Sequence, residues 1–85
     1  YVLEQNYPNP FNPSTNFKFK IAEAGLTTLK IYNLLGQEVA VVLEEFMNPG
    51  TYDFRFDAEG LSSGIYFYRI RVNDFSASKK MILVR

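Results

Sequence analysis

Apolar and polar positions alternate with a period of two along most of the chain. In Asn16–Ile21, residues Phe17, Phe19 and Ile21 share one face and Lys18 and Lys20 the other. That is the pattern of a half-buried strand with its lysines in water. Thr27–Tyr32 repeats it with Leu29 and Ile31 inward, after a turn at Glu23-Ala24-Gly25. Thr51–Asp57 places Tyr52, Phe54 and Phe56 inward and Asp53, Arg55 and Asp57 outward. Ile65–Val72 does the same with Tyr66, Tyr68, Ile70 and Val72, leaving Phe67, Arg69 and Arg71 on the far face. Turn residues punctuate these runs at Asn33–Gln37, Asn48-Pro49-Gly50, Glu59–Gly64 and Asn73-Asp74, where glycine and asparagine accept the required backbone angles.

Two stretches depart from alternation. Glu38–Leu43 is rich in β-branched residues and reads as a strand, although Leu35, Val39, Val42 and Phe46 also fit a helical stripe. Ser76–Val84 ends in Lys79-Lys80-Met81-Ile82-Leu83-Val84, apolar on both faces. A continuous apolar run predicts a strand covered on both sides. One cover is the core; the other is a loop or another protein, so Ile82 and Val84 are candidates for a recognition surface. Six or seven strands at short, even spacing predict an antiparallel β-sandwich.

The chain opens differently, with Asn6-Tyr7-Pro8-Asn9-Pro10-Phe11-Asn12-Pro13. Proline fixes φ and cannot donate to a ladder. Pro8, Pro10 and Pro13 therefore predict a stiff strap across a sheet edge, which discourages edge-to-edge pairing. Phe11 and Tyr7 are the expected pegs into the core, with Asn6, Asn9 and Asn12 closing local turns. Leu61-Ser62-Ser63-Gly64-Ile65-Tyr66 admits two readings of Tyr66. It is a plain core tyrosine, or a tyrosine corner of the kind found in immunoglobulin-like and fibronectin III-like domains, with its hydroxyl bonded back to the loop.

Composition narrows the functional classes. Of 85 residues, 47% are hydrophobic and 16% aromatic, which excludes intrinsic disorder. The formal net charge is zero, so no electrostatic footprint for nucleic acid or an anionic membrane is present. No apolar run reaches the ~20 residues of a membrane helix. There is no histidine and no cysteine, which removes the commonest general base, thiolate ligands and disulfides. Ser62-Ser63-Gly64 is an ordinary turn with no nucleophile-elbow glycines around it. No catalytic residue, cofactor-binding residue or metal ligand is assigned. Asp53 and Asp57 lie about 13 Å apart along one strand, too far for one metal. They, with Arg55, Arg69 and Arg71, are expected to form cross-strand charge pairs. Tyr32, Phe67 and Phe75 lie off the core face and offer a stacking row for a sugar, or cover the second side of a thin sandwich. The chain begins at Tyr1 with no signal-peptide pattern and is expected to be one domain, residues 1–85, of a larger protein.

Three stretches carry a family resemblance: Leu3-x-Gln5-Asn6-Tyr7-Pro8-Asn9-Pro10-Phe11-Asn12-Pro13-Ser14-Thr15; Ile31-Tyr32-Asn33-Leu34-Leu35-Gly36-Gln37-Glu38-Val39; and Gly64-Ile65-Tyr66-Phe67-Tyr68-Arg69-Ile70 followed by Lys80–Val84. Together they resemble the type A C-terminal sorting domain of the type IX secretion system of Bacteroidota. They are also similar to the immunoglobulin-like domain of flagellar hook-capping protein. The resemblance implies a seven-stranded immunoglobulin-like sandwich behind an N-terminal cargo, non-catalytic and without cofactor. It implies transit through the periplasm, recognition by an outer-membrane translocon and its shuttle protein, cleavage by a sortase-like peptidase at or before Tyr1, and delivery to the cell surface or outside the cell. Its recognition regions map onto Gly64 and Tyr66, and onto Lys79, Lys80, Met81, Ile82, Leu83 and Val84. The other reading is an accessory carbohydrate-binding or spacer module of an extracellular polysaccharide-active enzyme.

Overall fold

A computed structural model describes every residue from Tyr1 to Arg85. It is all-β: β1 (Val2–Leu3), β2 (Ser14–Ile21), β3 (Gly25–Tyr32), β4 (Glu38–Met47), β5 (Gly50–Asp57), β6 (Gly64–Val72) and β7 (Phe75–Leu83). These antiparallel strands form a three-stranded sheet in the order β1-β2-β5 and a four-stranded sheet in the order β4-β3-β6-β7. The alternation read from the sequence selects the faces. Phe17, Phe19 and Ile21 of the first sheet and Leu29, Ile31, Tyr68, Ile70 and Val72 of the second are fully buried in one core. Aromatic rings knit it together: Phe17 lies 4.6 Å from Tyr68 across the sheets, and Phe19 stacks on Phe54 at 5.8 Å within one.

β4 is a strand over ten residues, paired with β3 throughout. Three members of the rival helical stripe are exposed: Leu35, Val39 and Phe46. Leu43 and Met47 enter the core instead. Two register shifts opposite Leu29–Tyr32 let β4 keep pairing while its pattern drifts. The Asn33–Gln37 turn forms as expected. Asn33 Oδ1 accepts the N–H groups of Leu35 and Gln37, and Gly36 takes φ 81°, a conformation costly for any residue with a Cβ. Gly25 does not end the preceding turn. It begins β3, where a Cβ would collide with the Asn73 side-chain amide.

Three expectations fail. Tyr7 is not a peg: it is 79% exposed, and its neighbour Asn6 is buried instead. Phe75 is not off the core face. It sits opposite Val72, packs against the core and stacks on Tyr1 at 5.0 Å. The acidic residues of β5 do not pair with Arg69 and Arg71, because β5 and β6 belong to different sheets. Arg69 lies over the Tyr32 ring at 5.5 Å and Arg55 bonds Ser14. The ion pair present is Lys30–Glu38 at 3.2 Å, with the lysine half-buried and the glutamate exposed.

The proline-rich strap does cross an edge, and it joins two sheets. Tyr7 exchanges both backbone hydrogen bonds with Asn16 of β2, at 3.1 and 2.9 Å. Four residues later Phe11 donates to the Ile82 carbonyl at 3.0 Å and accepts from Val84 N–H at 2.9 Å, a parallel bridge beside β7. Between the two contacts the chain bends through Pro8–Pro10, and the bonds preceding Pro8, Pro10 and Pro13 are cis. Phe11 itself is 2% exposed. Phe11→Ala should therefore cost about 3–5 kcal/mol in denaturant unfolding, as for a buried phenylalanine, while Tyr7→Ala should stay within about 0.5 kcal/mol.

Candidate functional site

The resemblance implies recognition at Gly64 and Tyr66 and at Lys79–Val84, and strand pairing brings these separate stretches together. Gly64 lies opposite Leu83, Ile65 opposite Ile82, Tyr66 opposite Met81, Phe67 opposite Lys80, and Tyr68 opposite Lys79. The start of β6, the end of β7 and the strap thus form one end of the molecule.

Strand alternation divides this set into two populations. Tyr66, Met81 and Leu83 are buried; they shape the end of the core and are closed to a partner. Tyr66 is a tyrosine corner: its hydroxyl donates to the Ser62 carbonyl at 2.7 Å, fixing the loop that carries the chain from one sheet to the other. Lys79 faces inward opposite Tyr68 and is half-buried. A charged residue pointing inward on an edge strand is a device against edge pairing. The residues turned outward are Lys80, exposed; Ile82, half-buried; and Val84, 48% exposed. Ile65 and Phe67 of β6, each 37% exposed, extend this face.

The backbone edge of the same stretch is already occupied. Gln5 Nε2 donates to the Lys80 carbonyl at 2.7 Å, and Ile82 N–H donates to Asn9 Oδ1 at 2.9 Å. The Ile82 carbonyl and Val84 N–H are taken by Phe11. Pro8, Pro10 and Phe11 thus frame the site, and Asn9 works at long range rather than closing a local turn. A partner cannot extend the sheet along Lys80–Val84 without displacing the strap; side chains remain the accessible feature. Beyond the strand, Arg85 donates to Ser63 Oγ and to the carbonyls of Ala58 and Leu61, which ties the chain end to the corner loop.

What anchors the strap was missed in the sequence. Tyr68 has no exposed surface. Its hydroxyl donates to the Glu4 carbonyl at 2.7 Å and accepts Asn6 N–H at 2.8 Å. Asn6 then donates to Thr15 Oγ1 and the Pro8 carbonyl, and Thr15 donates to Pro8 as well. The inward period of β6 signalled that Tyr68 is buried, and a buried hydroxyl needs a partner. Which backbone supplies it is a matter of tertiary structure.

No group of three or more acidic side chains is placed to hold a metal ion. The Asp57 carboxylate accepts the Glu59 N–H at 3.0 Å, a local turn contact. Tyr32 and Phe67 are cross-strand neighbours, but Phe75 on the inner face breaks the proposed stacking row. The molecule is all-β, with seven antiparallel strands in two sheets, and its β6–β7 end displays Lys80, Ile82 and Val84. A family model described as the secretion system C-terminal sorting domain matches residues 5–84, and the chain belongs to that family. It is a C-terminal sorting signal of type IX secretion, which marks a protein for export to the cell surface or extracellular space. The family is not catalytic. No curated protein matches the chain.

Burial pushes the Tyr68 hydroxyl up to about 12 from an ordinary value of 10.0. A folded-state pKa above the unfolded one means that the native state holds the proton longer. The stabilisation is complete below pH ~10 and is lost between pH ~10 and ~12, by roughly 2–3 kcal/mol. Tyr68→Phe should abolish that component of the alkaline loss in a stability-versus-pH series. At neutral pH it should cost about 1–3 kcal/mol by leaving the Glu4 carbonyl and Asn6 N–H unpartnered.

Proposed function

We propose that sorting is read from the outward side chains at the β6–β7 end: Lys80, Ile82 and Val84, with Gly64 and Lys79 at its margins. Tyr66, Met81 and Leu83 serve by holding that face in shape. The observation that carries this reading is the split within one short segment. Alternate residues enter the core while the rest face solvent, and the strap satisfies the backbone edge between them. The reader is an outer-membrane translocon or its shuttle protein, met during passage through the periplasm. The cargo is joined at the N-terminal side, and a sortase-like peptidase cuts upstream of the Pro8–Phe11 segment.

On the same reading residues 1–85 fold as one domain of the immunoglobulin-like class, nearest to the fibronectin III arrangement. Three features support this: three strands facing four, a first edge that switches sheets, and a tyrosine corner at the entry to β6. The relation to the hook-capping protein's domain rests on the same class.

Removing Lys79–Arg85 would be a poor test, because it deletes two core residues and every β7 partner of Phe11. Point changes separate folding from recognition. A reporter fused ahead of residues 1–85, in a host with this secretion system, should be exported. Lys80→Glu with Val84→Asp should abolish most export while the melting temperature of the isolated chain moves little, as expected for surface changes. Normal export of that variant would sink the assignment of this face.

A further inference from the structure

The two flanks of the molecule are closed to different degrees. On one, β1 is only two residues long and β7 is bonded to the strap over Lys80–Val84. On the other, β4 and β5 end their sheets with nothing beyond them. β5 is the more telling edge. Its inward residues Tyr52, Phe54 and Phe56 are only half-buried, whereas Phe17 and Phe19 beside them are fully buried.

The orientation of the free backbone groups follows from the ladder. Ala58 N–H donates to the Pro13 carbonyl at 2.9 Å, one step past the Ser14–Asp57 pair. The register is unbroken from there to Ile21–Gly50. Antiparallel pairing alternates sides along a strand. Tyr52, Phe54 and Phe56 therefore bond β2, and the N–H and C=O groups of Thr51, Asp53, Arg55 and Asp57 point into the open edge.

We propose that this edge pairs with β5 of a second copy of the chain, antiparallel about a two-fold axis at Phe54. That register sets Asp53 opposite Arg55 of the other copy, twice by symmetry. It sets Tyr52 opposite Phe56, and Phe54 opposite itself, on the inner face. Opposite charges and aromatic pairs facing each other are the favourable cross-strand combinations. Lys18, which lies opposite Asp53 in β2, continues the row of alternating charge. The result is a six-stranded sheet, β1-β2-β5 followed by its symmetry mate, which buries the half-exposed aromatics. β4 does not suit the same role. Glu38, Glu44 and Glu45 are its charged residues, all acidic, and self-pairing centred on Val41 would oppose Glu38 to Glu44. The β5 contact lies away from the β7 edge and does not depend on the sorting role.

Sedimentation of the 85-residue chain over concentrations up to about 1 mM tests it. The wild type should self-associate reversibly. Asp53→Arg and Arg55→Asp, each folded by circular dichroism, should weaken association at least about tenfold, since like charges then face each other. Mixing those two variants should restore association, because the register then sets arginines against aspartates. The double exchange D53R with R55D in one chain should restore it too. A wild type that stays monomeric at about 1 mM, or a mixture associating no better than its components, overturns the proposal. Association that responds to Glu44→Lys but not to Asp53→Arg places the contact on β4 and overturns it as well.

Discussion

The strap, and the β6–β7 end that it covers, depend on one buried hydroxyl. Tyr68 sits at the centre of the four-stranded sheet, yet its oxygen serves the backbone of residues 4 and 6, which belongs to neither sheet's interior. That pair of bonds sets where the first segment leaves β1 and turns toward β7. Once Glu4–Asn6 is fixed, Asn6 organises Pro8 and Thr15, and Tyr7 bonds Asn16. The chain then has only a short, proline-stiffened path left before Phe11 reaches β7. Buried polar networks are costly when half-satisfied and specifying when complete; here every buried side-chain nitrogen and oxygen has a partner.

The consequence for β7 is a division of labour between backbone and side chains. An edge strand normally presents its free N–H and C=O groups as a template. Over Lys80–Val84 those groups are consumed by Gln5, Asn9 and Phe11. What this end leaves accessible is thereby confined to its outward side chains. The proline strap supplies the bonds without itself becoming a new edge, because Pro8, Pro10 and Pro13 have no N–H to offer the next strand. On the opposite flank β5 keeps its edge groups open, and its charges alternate in sign where those of β4 do not.

Much of this was legible in the sequence because a strand's side-chain period is two and core chemistry is plain. The inward sets of β2, β3, β5 and β6, the Gly36 turn and the buried Phe11 follow from residue type and spacing, whereas Tyr66 reads equally as a core tyrosine or a tyrosine corner until its bond to the Ser62 carbonyl decides. What failed depended either on which strands become neighbours or on the phase at which a segment enters its strand. Charge pairs between Asp53 or Asp57 and Arg69 or Arg71 presupposed that β5 and β6 share a sheet; the sheet switch at the Tyr66 corner separates them. Hydrophobicity points to Tyr7 as a peg and leaves Asn6 as a turn residue. Yet a one-residue shift in phase exchanges inside for outside, and a buried asparagine is acceptable once its amide is fully bonded. Phe75 failed for the same reason of phase: β7 starts one residue earlier than expected, and its first residue faces in.

On the proposed reading, this phase decides what a receptor meets at the β6–β7 end. Read as a string, Met81-Ile82-Leu83-Val84 is one apolar run after two lysines. Folded, it is two interleaved sets, and only Ile82 and Val84, with Lys80, share an accessible face. A receptor that reads the string needs Met81 and Leu83 and meets them only when β7 is out of the core. One that reads the face needs the strap docked and Tyr68 bonded. For the second kind, a change at Tyr68 or Phe11 weakens recognition through folding alone, without touching a single recognised atom. The two kinds then differ in sign: loosening the strap helps a reader of the string and harms a reader of the face.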